Sequence, residues 1–257
     1  MFDGTKRRAA TLFAAVIAVG GAGLWGSTRG APATRPAGVA VVELFTSQGC
    51  SSCPPAEAVL GNLEAAAARD GRPVYTLAFH VDYWNHLGWA DPFSEPAYSE
   101  RQRQYARTLK LDQVYTPQMV VNGRSQFVGS DRDAADRAIA DALAAPAAVR
   151  LAADIDRFAG GNLRLRYAAP GAGADAVIHV AVVEQGLLTE VKRGENAGQL
   201  LDQPSVVRWF KTVPGADHGE VAIPPLPDLR PGRASVVVFA QRLADGAVLG
   251  ATAVSLP

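Results

Sequence analysis

The sequence predicts an α/β domain with a helical insertion, followed by a smaller all-β, sandwich-like domain. Apolar, β-branched runs at 39–45 and 74–81 flank a helix-like stretch at 52–69. A strong hairpin signal, Asn122-Gly123, precedes a second capped helix pattern. After Pro146 the texture changes to about seven short β-like runs separated by Gly-, Pro- and Asp-containing turns, the pattern of a β-sandwich. The resulting boundaries are 1–36 for an N-terminal segment, 37–146 for the α/β domain and 147–257 for the β domain.

Each element has a local reason. Residues 39–45 are apolar except for Glu43, as in a buried strand. Pro54 and Pro55 fit the first turn of the helix that follows, where a missing N–H costs nothing. Leu60, Leu63 and Ala67 give that helix an apolar stripe, and Asp-Gly-Arg-Pro at 70–73 ends it. In the next strand Leu77, Phe79 and Val81 alternate with Thr76, Ala78 and His80. Residues 82–96 form an aromatic, polar loop, after which Ser94 or Ser99 is expected to cap a helix running to Leu109. Strands at 119–121 and 126–128 surround the hairpin turn. Ser130 or Asp131 then caps a helix to Leu143 that has Ala134, Ala138, Ile139 and Ala142 on one face. The later runs lie at 151–155, 163–167, 176–184, 206–213, 221–223, 236–243 and 248–254, and Trp209 and Phe210 fit a core or a domain seam.

Composition narrows the function. The chain of 257 residues is 48% hydrophobic with no formal net charge. It has no basic patch interleaved with aromatics, which argues against a nucleic-acid partner. Lys6, Arg7 and Arg8 precede an uncharged run at 9–25 and a small-residue, Pro-containing stretch at 27–36. That is the layout of an export signal, and the run is also long enough to stay as a membrane anchor. The expected location is extracytoplasmic (periplasm, cell envelope or secreted), with anchoring through the N-terminal segment as the variant. Such a compartment is oxidising.

The two cysteines lie in one motif, Cys50-Ser51-Ser52-Cys53, at a predicted helix start. A bridge closing so short a loop constrains the unfolded chain little, so stapling is a weak role. Cys50, at the helix start and nearer solvent, is the expected attacking thiol, and Cys53, one turn on and more buried, the resolving one. Three readings stay open: a redox pair, an inert bridge and a metal site. Zinc usually needs four ligands, whereas copper(I) would accept Cys50, Cys53 and His80. No cofactor is expected. His80 and Asp82 share a face by alternation and lie near the strand end, though a structural, hydrogen-bonded His80 is the plainer expectation.

The order strand, CxxC, helix, strand, insert, Tyr115-Thr116-Pro117, hairpin and helix resembles the thioredoxin fold. That resemblance implies that Pro117 is cis and faces the cysteines, and that Thr116 docks the substrate chain. It also implies a buried acid serving the buried cysteine, for which Glu43 is the candidate, with a water-facing edge position as the bland alternative. Residues 78–116 resemble the helical insert of exported disulfide-forming oxidoreductases. The aromatic run Tyr83, Trp84, Trp89 and Phe93 reads first as a core for that insert, with Trp84 a candidate wall of the substrate site. More closely, VELFTSQGCSSCPPAE at 42–57, FHVDYWN at 79–85 and RGENAG at 193–198 resemble a bacterial family of exported thioredoxin-like proteins, domain of unknown function 1223. The resemblance runs from residue 39 to the C-terminus and implies a fold without a reaction.

The function expected is therefore exported thiol–disulfide exchange on protein or peptide thiols and disulfides, with a membrane redox protein as a further candidate partner. The alternative is a thioredoxin-fold binding or copper-delivery module of the envelope without turnover. Arg193, Glu195 and Asn196, beside Gly194 and Gly198, could contact the thioredoxin-like domain or a ligand, but a tight polar turn is the preferred expectation, and His218 and Glu220 are expected to lie on the surface.

Overall fold

Strand β1 (Ala40–Thr46) is buried along its whole length, because it lies inside an eight-stranded sheet covered on both faces. The computed structural model describes residues 1, 37–157 and 162–256. The expected export signal falls on residues 2–36, outside the described residues. Helix α1 (Pro54–Asp70) connects β1 to its parallel neighbour β2 (Val74–His80). Its N-cap is Cys53, with prolines in the first turn, so the helix proper begins two residues later than expected. It ends at Gly71, whose φ of 61° lets the Arg72 N–H reach back to the Ala67 carbonyl.

Helix α2 (Pro96–Leu109) follows the aromatic loop. Neither expected serine caps it. Glu95 holds the N-cap without a side-chain bond, Ser99 is committed to Asp82 at 2.5 Å, and Ser94 donates to the Asp91 carbonyl. The hairpin of β3 (Gln118–Val121) and β4 (Ser125–Val128) turns at Asn122 and Gly123, both with positive φ. Helix α3 (Arg132–Ala144) is capped by Asp131, which accepts from the Ala134 N–H at 2.9 Å.

The remaining described strands are β5 (Ala152–Arg157), β6 (Leu163–Ala168), β7 (Ala176–Glu184), β8 (Leu187–Glu190), β9 (Leu200–Gln203), β10 (Val206–Pro214), β11 (His218–Ile223), β12 (Ala234–Arg242) and β13 (Val248–Ser255). The large sheet runs β13-β12-β7-β10-β2-β1-β3-β4. Strands from both sides of the expected boundary at 146/147 thus share it. The join is short: the Ala78 N–H donates to the Ser205 carbonyl at 2.7 Å, and the Thr76 and Ser205 hydroxyls meet at 2.7 Å. A three-stranded sheet, β11-β6-β5, stacks Leu165, Val221 and Ile223 on Ile178, Val180, Val182 and Val236. In place of a clearly separate sandwich domain, the three-stranded sheet is a layer on one part of a larger mixed sheet. The strands β8 and β9, absent from the sequence expectation, form a separate two-stranded ribbon.

Alternation sorts the faces. Ala40, Val42 and Leu44 pack against Ala56, Leu60 and Leu63 of α1 and Ala135 and Ile139 of α3. Val41 and Phe45 point the other way, toward Tyr98 and Tyr105 of α2, together with Phe79, Val207 and Phe239. On that second face the sheet curls until its two outlying turns meet. The Val248 N–H donates to the Asn122 carbonyl at 3.1 Å, and a Cβ on Gly123 would lie 1.9 Å from the Gly246 carbonyl oxygen, so only glycine fits there.

A charged pair is buried in this aromatic face. Arg101 of α2 donates to both carboxylate oxygens of Glu43, at 2.5 and 2.9 Å, and Tyr105 donates to Glu43 Oε1 at 2.5 Å. The guanidinium also lies 5.0 to 5.6 Å from the ring centres of Tyr105, Phe210, Phe239 and Phe79. Removing one partner strands the other charge, so Arg101→Met is expected to cost about 3 kcal/mol in urea unfolding. The double variant Glu43→Gln/Arg101→Met should lose clearly less than the sum of the two single changes; simple additivity would show that the pair is not coupled.

Candidate functional site

The site starts where β1 stops. The Gly49 N–H bonds to Ser47 Oγ and the Cys50 N–H to the Ser47 carbonyl, both at 3.1 Å, which turns the chain into the cysteine motif. Cys50 and Cys53 are joined as a disulfide at the head of α1. Because Pro54 and Pro55 occupy the first two helical positions, the first free helical N–H groups, those of Ala56 and Glu57, both bond to the Cys53 carbonyl. Hydrogen bonding toward the sulfur of Cys50 therefore comes from side chains. Thr116 Oγ1 donates to Cys50 Sγ at 3.3 Å, Ser52 Oγ lies 3.4 Å from it, and Trp84 Nε1 donates to Thr116 Oγ1 at 2.8 Å. The Thr116–Pro117 peptide is cis. The fold thus brings Cys50, Cys53, Trp84 and the Thr116–Pro117 step together.

Two expectations about these residues change. Cys50 is not nearer solvent than Cys53: both are fully buried, while Ser51 and Ser52 between them are exposed. Glu43 does not reach the cysteines. It faces α2 on the opposite side of the sheet from α1, where Arg101 and Tyr105 take both its oxygens.

The loop 191–199, between β8 and β9, lies over the motif instead of forming a plain turn. Asn196 Nδ2 donates to the carbonyls of Gln48 and Cys50 at 2.9 and 3.0 Å. Glu195 Oε2 accepts from the backbone N–H and the hydroxyl of Ser51 at 2.9 and 2.7 Å, and these bonds, the backbone one first, lower its pKa. Gln48 ties the layers together. Its N–H donates to Asp91 Oδ2 at 2.8 Å, its Nε2 donates to Gln203 and Thr189, and its Oε1 accepts from Trp89 Nε1 at 2.8 Å.

The family described as "Protein of unknown function (DUF1223)" matches residues 41–241, spanning both the cysteine motif and the loop that covers it. This chain belongs to the DUF1223 family. A crystal structure of a protein from Agrobacterium tumefaciens, AGR_C_4864, is 32% identical, with 85% of this chain and 95% of that chain covered at a TM-score of 0.61. A domain of the outer membrane lipoprotein Omp28 from Porphyromonas gingivalis is 13% identical over 43% of this chain and 88% of its own, at a TM-score of 0.25, too slight a likeness to carry an argument. No curated protein matches the chain.

Behind the cysteines this DUF1223 protein buries a second set of charges. Glu57, one helical turn after Cys53, is 2% exposed and accepts from Thr46 Oγ1 at 2.7 Å. Burial pushes its carboxyl up, against the pull of nearby His80 and of the Thr46 bond. His80 Nδ1 meets Asp91 Oδ2 at 2.8 Å with both side chains fully buried, and His80 Nε2 has no hydrogen-bond partner in the structure. Burial opposes charge on His80, but the attraction and hydrogen bond of Asp91, with the attraction of Glu57, outweigh it and raise its pKa. Asp91 is likewise opposed by burial, yet His80 and the N–H groups of Gln48 and Phe93 hold it low.

His80 is therefore the structural, hydrogen-bonded residue of the plainer expectation. Its partner is Asp91, since Asp82 is taken by Ser99. Among the described residues no three His, Cys, Asp or Glu side chains are grouped to hold a metal, so Cys50, Cys53 and His80 do not form the ligand set of the copper alternative. Sequence reasoning missed Gln48, Glu57 and Asp91 as site residues, whereas Glu195 and Asn196 make the inter-segment contact that the sequence offered as the alternative to a plain turn. For Glu57 a signal existed in its i+4 spacing from Cys53.

A histidine whose folded pKa lies above the ordinary 6.5 adds stability that is fully present below that value and fades as pH rises through the folded pKa. Asp91, lowered from 3.8, adds stability present above that value and lost as pH falls through its folded pKa. His80→Gln should thus cost most in mildly acid solution and progressively less toward alkaline pH, measured by urea unfolding across a pH series. A deficit that grows with pH would contradict the charged pair.

Proposed function

We propose that this protein is an extracytoplasmic thiol–disulfide oxidoreductase of thioredoxin-like fold that acts on cysteines of exported proteins or peptides. The observation that carries the reading is the Cys50–Cys53 pair at the head of α1 with two hydroxyls, of Thr116 and Ser52, against the Cys50 sulfur. Donors aimed at one sulfur favour its thiolate. The strand order β2-β1-β3-β4, with α1 and α3 on one face and α2 on the other, supports the thioredoxin-like fold. The basic, apolar and small-residue layout of 6–36 supports export, and a membrane redox protein is the natural partner for resetting the pair.

The step is an exchange. In the dithiol form the Cys50 thiolate attacks one sulfur of a substrate disulfide, and the other substrate sulfur leaves as a thiolate and takes a proton. Cys53, deprotonated, then attacks Cys50 Sγ, closing the disulfide and releasing the second substrate thiolate. Two electrons pass from the cysteine pair to the substrate, and the reverse sequence oxidises a substrate dithiol. Glu57, buried one helical turn after Cys53 with a raised pKa, is suited to take the Cys53 proton, the role that the thioredoxin resemblance implies for Glu43. The complete burial of both sulfurs favours a second reading, a binding module whose bridge does not turn over.

Cys53→Ser should trap a mixed disulfide with a peptide disulfide, and Cys50→Ser should abolish exchange. No trapped species and no turnover from the reduced protein would leave the binding module. Glu57→Gln should slow release of the mixed disulfide while raising stability at neutral and alkaline pH. A carboxyl raised from 4.5 favours folding fully only below that value, and that contribution is lost as pH rises through its folded pKa. Slower release without the gain in stability would point to a packing defect.

A further inference from the structure

The loop 191–199 covers the cysteine motif by contacts of a particular kind. Its backbone hydrogen bonds are its own: the Val191 N–H to Gln199, Gly198 to Val191, Ala197 to Gly194 and Gln199 to Asn196. It rises from a ribbon, β8 and β9, that pairs with no other strand among the described residues. Its hold on the motif is made by two side chains, Asn196 on the carbonyls of Gln48 and Cys50 and Glu195 on Ser51. A loop built this way can lift as a body without leaving its own backbone unpaired. The base of the ribbon stays tied through Thr189 and Gln203 to the Gln48 side chain.

We propose that the loop 191–199 is a lid that occupies the substrate's place over Cys50 and must open before a protein disulfide can react, an inference that rests on the oxidoreductase reading. Both sulfurs are fully buried, so a substrate sulfur has no approach to Cys50 while the site is closed. Opening frees the carbonyls of Gln48 and Cys50 and the N–H of Ser51, a set that an extended peptide backbone can take over. The site thus selects a segment of extended chain on either side of the substrate cysteine. Opening also withdraws the Glu195 carboxylate from Ser51, between the two cysteines, and a nearby negative charge disfavours the Cys50 thiolate. Access and ionisation of Cys50 are coupled: closed, the pair is shielded and quiet; open, it is reachable and more acidic.

The test is the rate at which a water-soluble phosphine, which takes no part in protein recognition, reduces the Cys50–Cys53 disulfide of the folded protein. Glu195→Ala and Asn196→Ala, singly and together, are compared with the parent. Loss of these hydrogen bonds should speed reduction by about tenfold. Glu195 is exposed, so its variant keeps the test decisive where Asn196→Ala fails to fold. Equal rates in the parent and Glu195→Ala, with circular dichroism unchanged, would overturn the lid. Faster reduction in the variants with no exchange on peptide disulfides would keep the lid and remove the oxidoreductase reading. Equal reduction rates with working exchange would do the reverse.

Discussion

Arg101 and Glu43 meet inside the curled face of the large sheet, where a guanidinium lies among four aromatic rings and the carboxylate is fully buried. Such a pair is tolerable only when every remaining hydrogen-bonding position is filled. Tyr105 and Gln241 do that: the tyrosine donates to Glu43, and Gln241 lies against Arg101 while donating to Tyr105 Oη. Three elements are fixed at once, β1 through Glu43, α2 through Arg101 and β12 through Gln241. The loop that precedes α2 then has a set exit. It carries Trp84, Trp89 and Asp91 back over the end of β2, and these hold Thr116, Gln48 and His80. The surroundings of Cys50 are thus positioned from the far side of the sheet.

The sheet separates two buried charge systems that behave differently. On the α2 face Arg101 and Glu43 have their hydrogen bonds filled, and His179, beside Arg101, has its pKa held well below the ordinary value by burial first and by the guanidinium second. On the α1 face Glu57, His80 and Asp91 form a group in which one carboxylate is held low and one carboxyl is pushed up. The first arrangement suits architecture. In the second, burial and neighbouring charge pull in opposite directions, and one imidazole nitrogen of His80 has no hydrogen-bond partner.

Much of the first half was legible because its signals are local. Asn122-Gly123 makes its turn, Asp131 caps its helix, and the alternation of Leu77, Phe79 and Val81 places β2. The cysteine motif marks the candidate site, Thr116 follows from the resemblance, and Trp84 stands out in the aromatic loop. What escaped is long-range. Nothing local tells Glu43 that Arg101 awaits it 58 residues on, or that the buried acid on the cysteine side of the sheet is Glu57 of α1. The ribbon of β8 and β9 consists of two four-residue strands, too short to show a period, and the polar sequence between them looks the same whether it faces water or another loop. The join of β2 to β10 rests on few backbone bonds, beside Ser205 in a left-handed conformation that no sequence pattern signals.

The turn-to-turn closure at Gly123 and Gly246 bears on how another chain could bind. One margin of the sheet, β13, is strapped by the segment before β5, whose Val149 N–H donates to the Leu249 carbonyl. The other margin, β4, is four residues long. Short or covered margins give an incoming strand little to extend. A polypeptide seeking to pair along this sheet would find one side strapped and the other only four residues long.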